Sequence, residues 1–172
     1  MKYDNLVEIL INEIFNNKIE YKPIFNKNDA GKDSVSQQFI VKDKTYRVRA
    51  DMFDADKYKN ILHIEFVRID SNKTERTDLT KDNTGYTGDI YGIVINWVKD
   101  VMNDPLFKNI EHVIIIGEND NLSWAKGKFY EKLATRFIKD NPNYTTNKLL
   151  SDYMYTKISP NKFSITAVTK KG

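Results

Sequence analysis

GYTGDIYGIVINWVKDVMN (residues 85–103), HVIII (112–116) and NLSWAKGKFYEKLATRFI (121–138) decide how this chain folds. In the first segment, Gly85 and Gly88 bracket a short polar opening. Ile90, Ile93, Val94, Trp97, Val98, Val101 and Met102 then recur at helical spacing, so a loop runs into an amphipathic helix with Asp89 as its expected cap. Asn103-Asp104-Pro105 ends it. His112 to Ile116 places apolar residues side by side, the pattern of a central strand covered on both faces. In the third segment Ala125, Phe129, Leu133, Phe137 and Ile138 line one side of a second helix, which Asn141-Pro142 stops. Loop, helix, buried strand, helix is part of a crossover unit, and it predicts an α/β fold.

Upstream, three strands agree on which side they bury. A turn at Asp43-Lys44 pairs Phe39 with Val48 and Val41 with Tyr46. The connection 54–60 then pairs Met52 with Leu62, Ala50 with Ile64 and Val48 with Phe66. Side chains alternate along a strand, so all of these fall on one apolar face. A slip of one residue would turn the whole set toward water, which fixes the parity of the register.

The remaining segments are read as follows. Residues 4–17 form a helix capped by Asp4, 19–25 an edge strand limited by Pro23, and 26–36 a polar loop. Residues 69–87 are a long polar connection of the kind that often carries function. Asp152 to Lys157 and Lys162 to Val168 make a closing hairpin around Ser159-Pro160-Asn161. No repeat or linker interrupts the chain, so residues 1–172 are expected to form a single domain.

Composition narrows the function classes. Apolar residues at 40% and charged residues at 30% describe an ordinary soluble protein. The apolar run 113–116 is far too short to span a bilayer, and no signal-peptide hydrophobic region is read at the N-terminus, so neither a membrane nor secretion is expected. With no cysteine and two histidines, neither disulfides nor a metal site is expected. A net charge of +3, with the signs interspersed, argues against nucleic acid as a partner.

Helix, three antiparallel strands, helix, central strand, helix and closing strands is the element order of the GNAT (acyl-CoA N-acyltransferase) fold, which the chain resembles. The resemblance implies a mixed, mostly antiparallel sheet with helices on both faces. Its sharpest piece is Phe129-Tyr130-Glu131-Lys132-Leu133, similar to a run on that family's penultimate helix. By that resemblance Tyr130 is the general acid toward the departing coenzyme A thiolate. Gly85, Thr87 and Gly88 lie where the family holds pyrophosphate, with Gly92 completing the glycine run. Free N–H groups at a helix start attract phosphate oxygens. A second, narrower resemblance is to small proteins of tailed bacteriophages, carried by Thr84-Gly85-Tyr86-Thr87-Gly88, the apolar residues 94–98 and 113–116, and the basic-aromatic stretch 126–133.

On the polar side of the sheet, Asp51 is expected opposite His63 and Arg49 opposite Glu65. In an acyltransferase Glu65 or His63 would be the general base that deprotonates an acceptor amine. The bland alternative is a set of complementary cross-strand pairs, each worth a few tenths to about 1 kcal/mol. For Gly85 and Gly88 it is a turn, for Gly92 close packing, and for Tyr130 a helix-boundary aromatic. The carboxylate of Asp89 weighs against coenzyme binding, because it would sit beside bound pyrophosphate and repel it.

The leading expectation is therefore a non-enzymatic bacteriophage protein on a GNAT-like scaffold, needing no cofactor. It would be a virion component or an accessory factor that binds other phage proteins or a host protein, with a homo-oligomer possible. It would reside in the virion or the host cytoplasm. One alternative is an acetyl-CoA-dependent N-acyltransferase with Glu65 as base and Tyr130 as acid. The other is an inhibitor of a host defence protein.

Overall fold

A computed structural model describes residues 17–76, 87–118, 134–157 and 163–172. The expected first helix (4–17, apart from its last residue), Gly85, Tyr130, the basic-aromatic stretch 126–133 and the turn at Ser159-Pro160-Asn161 lie outside the described residues. The strands are β1 (Ile24–Lys27), β2 (Asp33–Val41), β3 (Lys44–Ala55), β4 (Tyr58–Ile69), β5 (Glu75–Arg76), β6 (His112–Glu118), β7 (Tyr144–Thr146) and β8 (Phe163–Lys170). Helices are α1 (Thr87–Asn103), α2 (134–140) and α3 (Lys148–Lys157), with a 3-10 turn at Pro105–Phe107.

Hydrogen bonding orders the sheet β1-β2-β3-β4-β6-β8-β7, and β5 pairs with β4. The sheet is mostly antiparallel. β4 and β6 run parallel, with Ile61 beside His112 and Ile64 beside Ile115. β8 lies antiparallel between β6 and β7, from Glu118↔Phe163 to His112↔Thr169 on one side and from Tyr144↔Lys170 to Thr146↔Val168 on the other. The fold is thus mixed α/β, as expected. The described residues divide into two compact units interleaved in sequence, one drawn from 17–27, 33–50, 66–76 and 87–108, the other from 28–32, 51–65, 109–118, 134–157 and 163–172.

In the first unit Val35, Phe39, Val41, Tyr46, Val48 and Ala50 are buried at alternating positions, and the Phe39 and Tyr46 rings stack at 5.5 Å. The turn between β2 and β3 is Lys42-Asp43, one residue earlier than expected, with Lys42 at φ 63. That shift brings Phe39, rather than Val41, against Tyr46. β2 also begins at Asp33, inside the stretch expected to be loop, and β1 is shorter and later than the expected 19–25. Along α1, Ile90, Ile93, Val94, Trp97, Val98 and Val101 are buried as their spacing predicts, Met102 is only half-buried, and Ile95, off that stripe, is buried as well. The helix begins at Thr87, so Asp89 stands in its first turn and is not its cap. The connection expected to be unstructured contains β5, where Glu75 makes an ion pair with Arg47.

In the second unit Ile61 and Leu62 are consecutive and both fully buried, so β4 is covered on both faces there. Tyr58 and Ile61 pack into the same core, although three residues apart they would point opposite ways in a regular strand. Asn60, at φ 53 with its N–H on the Asp54 carboxylate (3.0 Å), is the bulge that reverses the alternation. It compensates the tight Asp56-Lys57 turn, and Leu62 and Ile64 stay buried as expected. Met52 and Phe66, expected on the apolar face, are only half-buried.

One expected element is of the wrong type. Residues 152–157 belong to α3 and not to a strand. Asn147 caps that helix, its Oδ1 accepting the Leu150 N–H at 2.9 Å. Leu150 and Met154, four apart, bury against Ile61, Ile114 and Ala167. The expected strand began at Asp152, whereas the helical period of Leu150 and Met154 begins earlier, at the cap. β7 was not foreseen either; it is three residues long.

Leu150 is fully buried while its neighbour Leu149 is 74% exposed. Leu150→Ala is expected to lower stability by roughly 2–5 kcal/mol and Leu149→Ala by less than about 0.5 kcal/mol. Denaturant unfolding of the two variants checks this, and similar losses from both would contradict the helix.

Candidate functional site

The loop-to-helix junction that suggested phosphate binding is described from Thr87 onward. Thr87 and Gly88 open α1, Gly92 is buried within it, and Asp89 is half-buried in the first turn. The Asp89 carboxylate is engaged: Asn17 Nδ2 donates to its Oδ1 at 3.0 Å. Asn17 belongs to an irregular strap, residues 17–22, that is fastened at intervals along α1. Asn96, buried at 7% exposure, donates through Nδ2 to the Asn17 carbonyl at 2.6 Å.

Further along, Gln37 closes a three-way contact. Its Oε1 accepts the Lys22 N–H at 2.9 Å and the Trp97 indole N–H at 3.0 Å, while its Nε2 donates to the Glu20 carbonyl at 2.6 Å. At the far end the Tyr21 hydroxyl reaches Asp104 Oδ2 at 3.5 Å, and its ring lies 6.3 Å from that of Trp97. Burial, then the Asp104 carboxylate, push the Tyr21 phenol well above its ordinary value.

The expected base residues sit elsewhere. His63 and Glu65 are half-buried on β4, on the face opposite Leu62 and Ile64. The Phe53 ring meets His63 edge-on at 6.4 Å. Asp51, expected on a half-solvated face, is buried, and Arg49 is exposed. Glu65 and His63 belong to the second unit, Thr87 and Gly88 to the first. Among the described residues, no group of three or more His, Cys, Asp or Glu side chains is placed to hold a metal ion. No helix among them is long and apolar enough to cross a membrane.

A polar-aromatic cluster that sequence reasoning missed lies in the second unit. The Tyr153 hydroxyl on α3 donates to the Asp56 carboxylate in the β3–β4 turn, and Lys157 Nζ stands 3.6 Å from the same carboxylate. The Tyr58 ring lies 5.4 Å from the Tyr153 ring and meets the His112 ring edge-on, also at 5.4 Å. His112 Nδ1 is 2.8 Å from Thr169 Oγ1, which also accepts from Asn147 Nδ2 at 2.8 Å. Hydrogen bonding to Asp56 pushes the Tyr153 phenol up to about 12, and the same bond with Lys157 nearby holds the Asp56 carboxyl below its ordinary value. Burial lowers the His112 pKa, with Glu111 opposing the shift less strongly. His112 opens β6, and its ring is hydrogen-bonded there. Asp56 and Tyr153 are 97 residues apart, so no local motif announces the contact.

No family model, curated protein or solved structure matches the chain.

Asp56→Asn is expected to bring the Tyr153 phenol from about 12 toward the ordinary value of about 10. Carbon NMR of the tyrosine ring carbons through an alkaline titration reads this. An unchanged Tyr153 titration would contradict the contact.

Proposed function

We propose that this chain is a binding protein on a GNAT-like scaffold that carries out no acyl transfer, a virion component or partner-binding accessory factor of a tailed bacteriophage. The scaffold reading is supported by the element order: strands β1 to β4, α1, central strand β6, α2, and closing strands β7 and β8, with the short β5 before α1 and α3 between the closing strands. The phage reading rests on the glycine-loop and apolar-strand arrangement of the sequence.

The observation that carries the non-enzymatic reading is the Asp89–Asn17 contact at the start of α1. A helix N-terminus favours a nearby negative charge by about 0.3–1 kcal/mol, and Asp89 already supplies one. Asn17 holds that carboxylate in place. A diphosphate docking at the same amides would face a fixed like charge. Two unit charges 4 Å apart repel by about 4 kcal/mol at an effective dielectric of 20. Repulsion of that size exceeds the helix-end attraction, so the junction disfavours the ligand that the acyltransferase reading needs.

Isothermal titration of the whole chain with acetyl-coenzyme A is expected to show no saturable binding up to millimolar concentration. Saturable binding in the micromolar range would overturn the proposal in favour of the acyltransferase. Mass spectrometry of purified particles of the phage that encodes the chain addresses the first form of the proposal. Finding the chain in stoichiometric amount supports a virion component, and its absence removes that form.

A further inference from the structure

Asn147 does two jobs at once. Its Oδ1 caps α3 through the Leu150 N–H, and its Nδ2 donates to Thr169 Oγ1 on β8. Its backbone joins the same lacing: the N–H donates to the Ala167 carbonyl at 2.9 Å, and the carbonyl accepts from Ser151 N at 3.0 Å and Ser151 Oγ at 3.1 Å. Ser151 Oγ in turn accepts the Ala167 N–H at 3.1 Å. The first turn of α3 is thereby fixed to β8 by one asparagine and one serine.

The chain of hydrogen bonds ends on His112. A hydroxyl that accepts the Asn147 amide proton has its own proton to offer to His112 Nδ1, 2.8 Å away. That arrangement suits a neutral imidazole with its hydrogen on Nε2, which points toward the Glu111 carboxylate 4.0 Å away. A second ring proton would reverse the hydrogen bond at Nδ1, leave the Thr169 hydroxyl proton to find another acceptor, and place a cation at a position only 8% exposed.

We infer that His112 is a pH-sensitive pin for α3: protonation of its ring loosens the Asn147 cap and opens the helix from its apolar floor of Ile61, Ile114 and Ala167. Among the described residues, these groups face the ring. Glu111 precedes it, Thr169 comes from β8 and Tyr58 from β4, and behind Tyr58 stands the Tyr153–Asp56–Lys157 group. Glu111 is the carboxylate placed to stabilise a charged ring. It is more than half exposed and also accepts from Asn60 Nδ2 at 3.2 Å, so its attraction is weak. Burial, which acts against the charged form, dominates.

The sign follows from the depressed pKa of the closed state. With the ring titrating near 6.5 once α3 has opened, docking is fully present above that pH and weakens as pH falls below it toward the closed-state pKa. Opening of α3 should therefore become more frequent by up to about tenfold per pH unit in that window.

The experiment is hydrogen exchange of the α3 backbone amides in the whole chain, followed by NMR at pH 7.5 and 5.5 and corrected for intrinsic exchange. The ring carbons of the chain's two histidines are titrated in the same samples. His112 is expected to titrate below 6.5, and α3 protection to fall several-fold to about tenfold at the lower pH. His63→Gln is expected to leave that dependence unchanged, and His112→Gln to remove it. If His112→Gln does not fold, the wild-type titration and exchange decide alone. A His112 pKa at or above 6.5, equal α3 protection at both pH values, or a pH dependence that persists in folded His112→Gln would overturn the inference.

Discussion

One amide group fastens the first unit together. Gln37 sits on a strand whose neighbours on the same face, Val35, Phe39 and Val41, are apolar, yet it too is buried, at 9% exposure. A buried amide costs free energy unless its donor and acceptor are satisfied, and here both are, by the Trp97 indole and by the backbone of residues 20 and 22. The exchange is reciprocal. Trp97 is 1% exposed and its N–H finds Gln37 as its acceptor. The strap has no helix or strand ladder of its own, so its order depends on side chains such as Gln37, Asn96 and Tyr21. Through the strap, Asn17 is delivered to Asp89, which is how a strand residue bears on the chemistry of a helix end.

Apolar periodicity made the frame legible. Most of the buried faces of β2, β3 and β4, most of the stripe on α1 and the adjoining buried Val113 and Ile114 of β6 follow from spacing, because burial repeats with the period of the element. α3 was missed where the expected strand began at Asp152, five residues after the cap, and an asparagine cap is a weak signal in a chain rich in asparagine. The bulge at Asn60 was invisible in itself. Its consequence was not, since the burial of Leu62 and Ile64 required the alternation to recover somewhere.

The polar contacts were illegible for a different reason. Gln37 and Trp97 are 60 residues apart, Asn17 and Asp89 72, His112 and Thr169 57. Their partners are chosen by the packing of elements and not by neighbours in sequence. Sequence reading did identify Asp89 as the residue that bears on the phosphate question, on charge alone. It missed that the carboxylate would be held by an amide from a distant strap. His63 and Glu65 share a face of β4, as alternation requires, while the cluster around His112 and Tyr153 is assembled from β4, β6, β8 and α3.

If Gln37 is the fastening, the Trp97 indole N–H and the Lys22 amide must share one fate. Hydrogen exchange of those two protons, in the natural chain and in Gln37→Met, tests this most directly. Both should be protected in the natural chain and both released together in the variant, while the β6 and β8 amides keep their protection. A Lys22 amide that exchanges freely in the natural chain, or two protons still protected in the variant, would contradict the account.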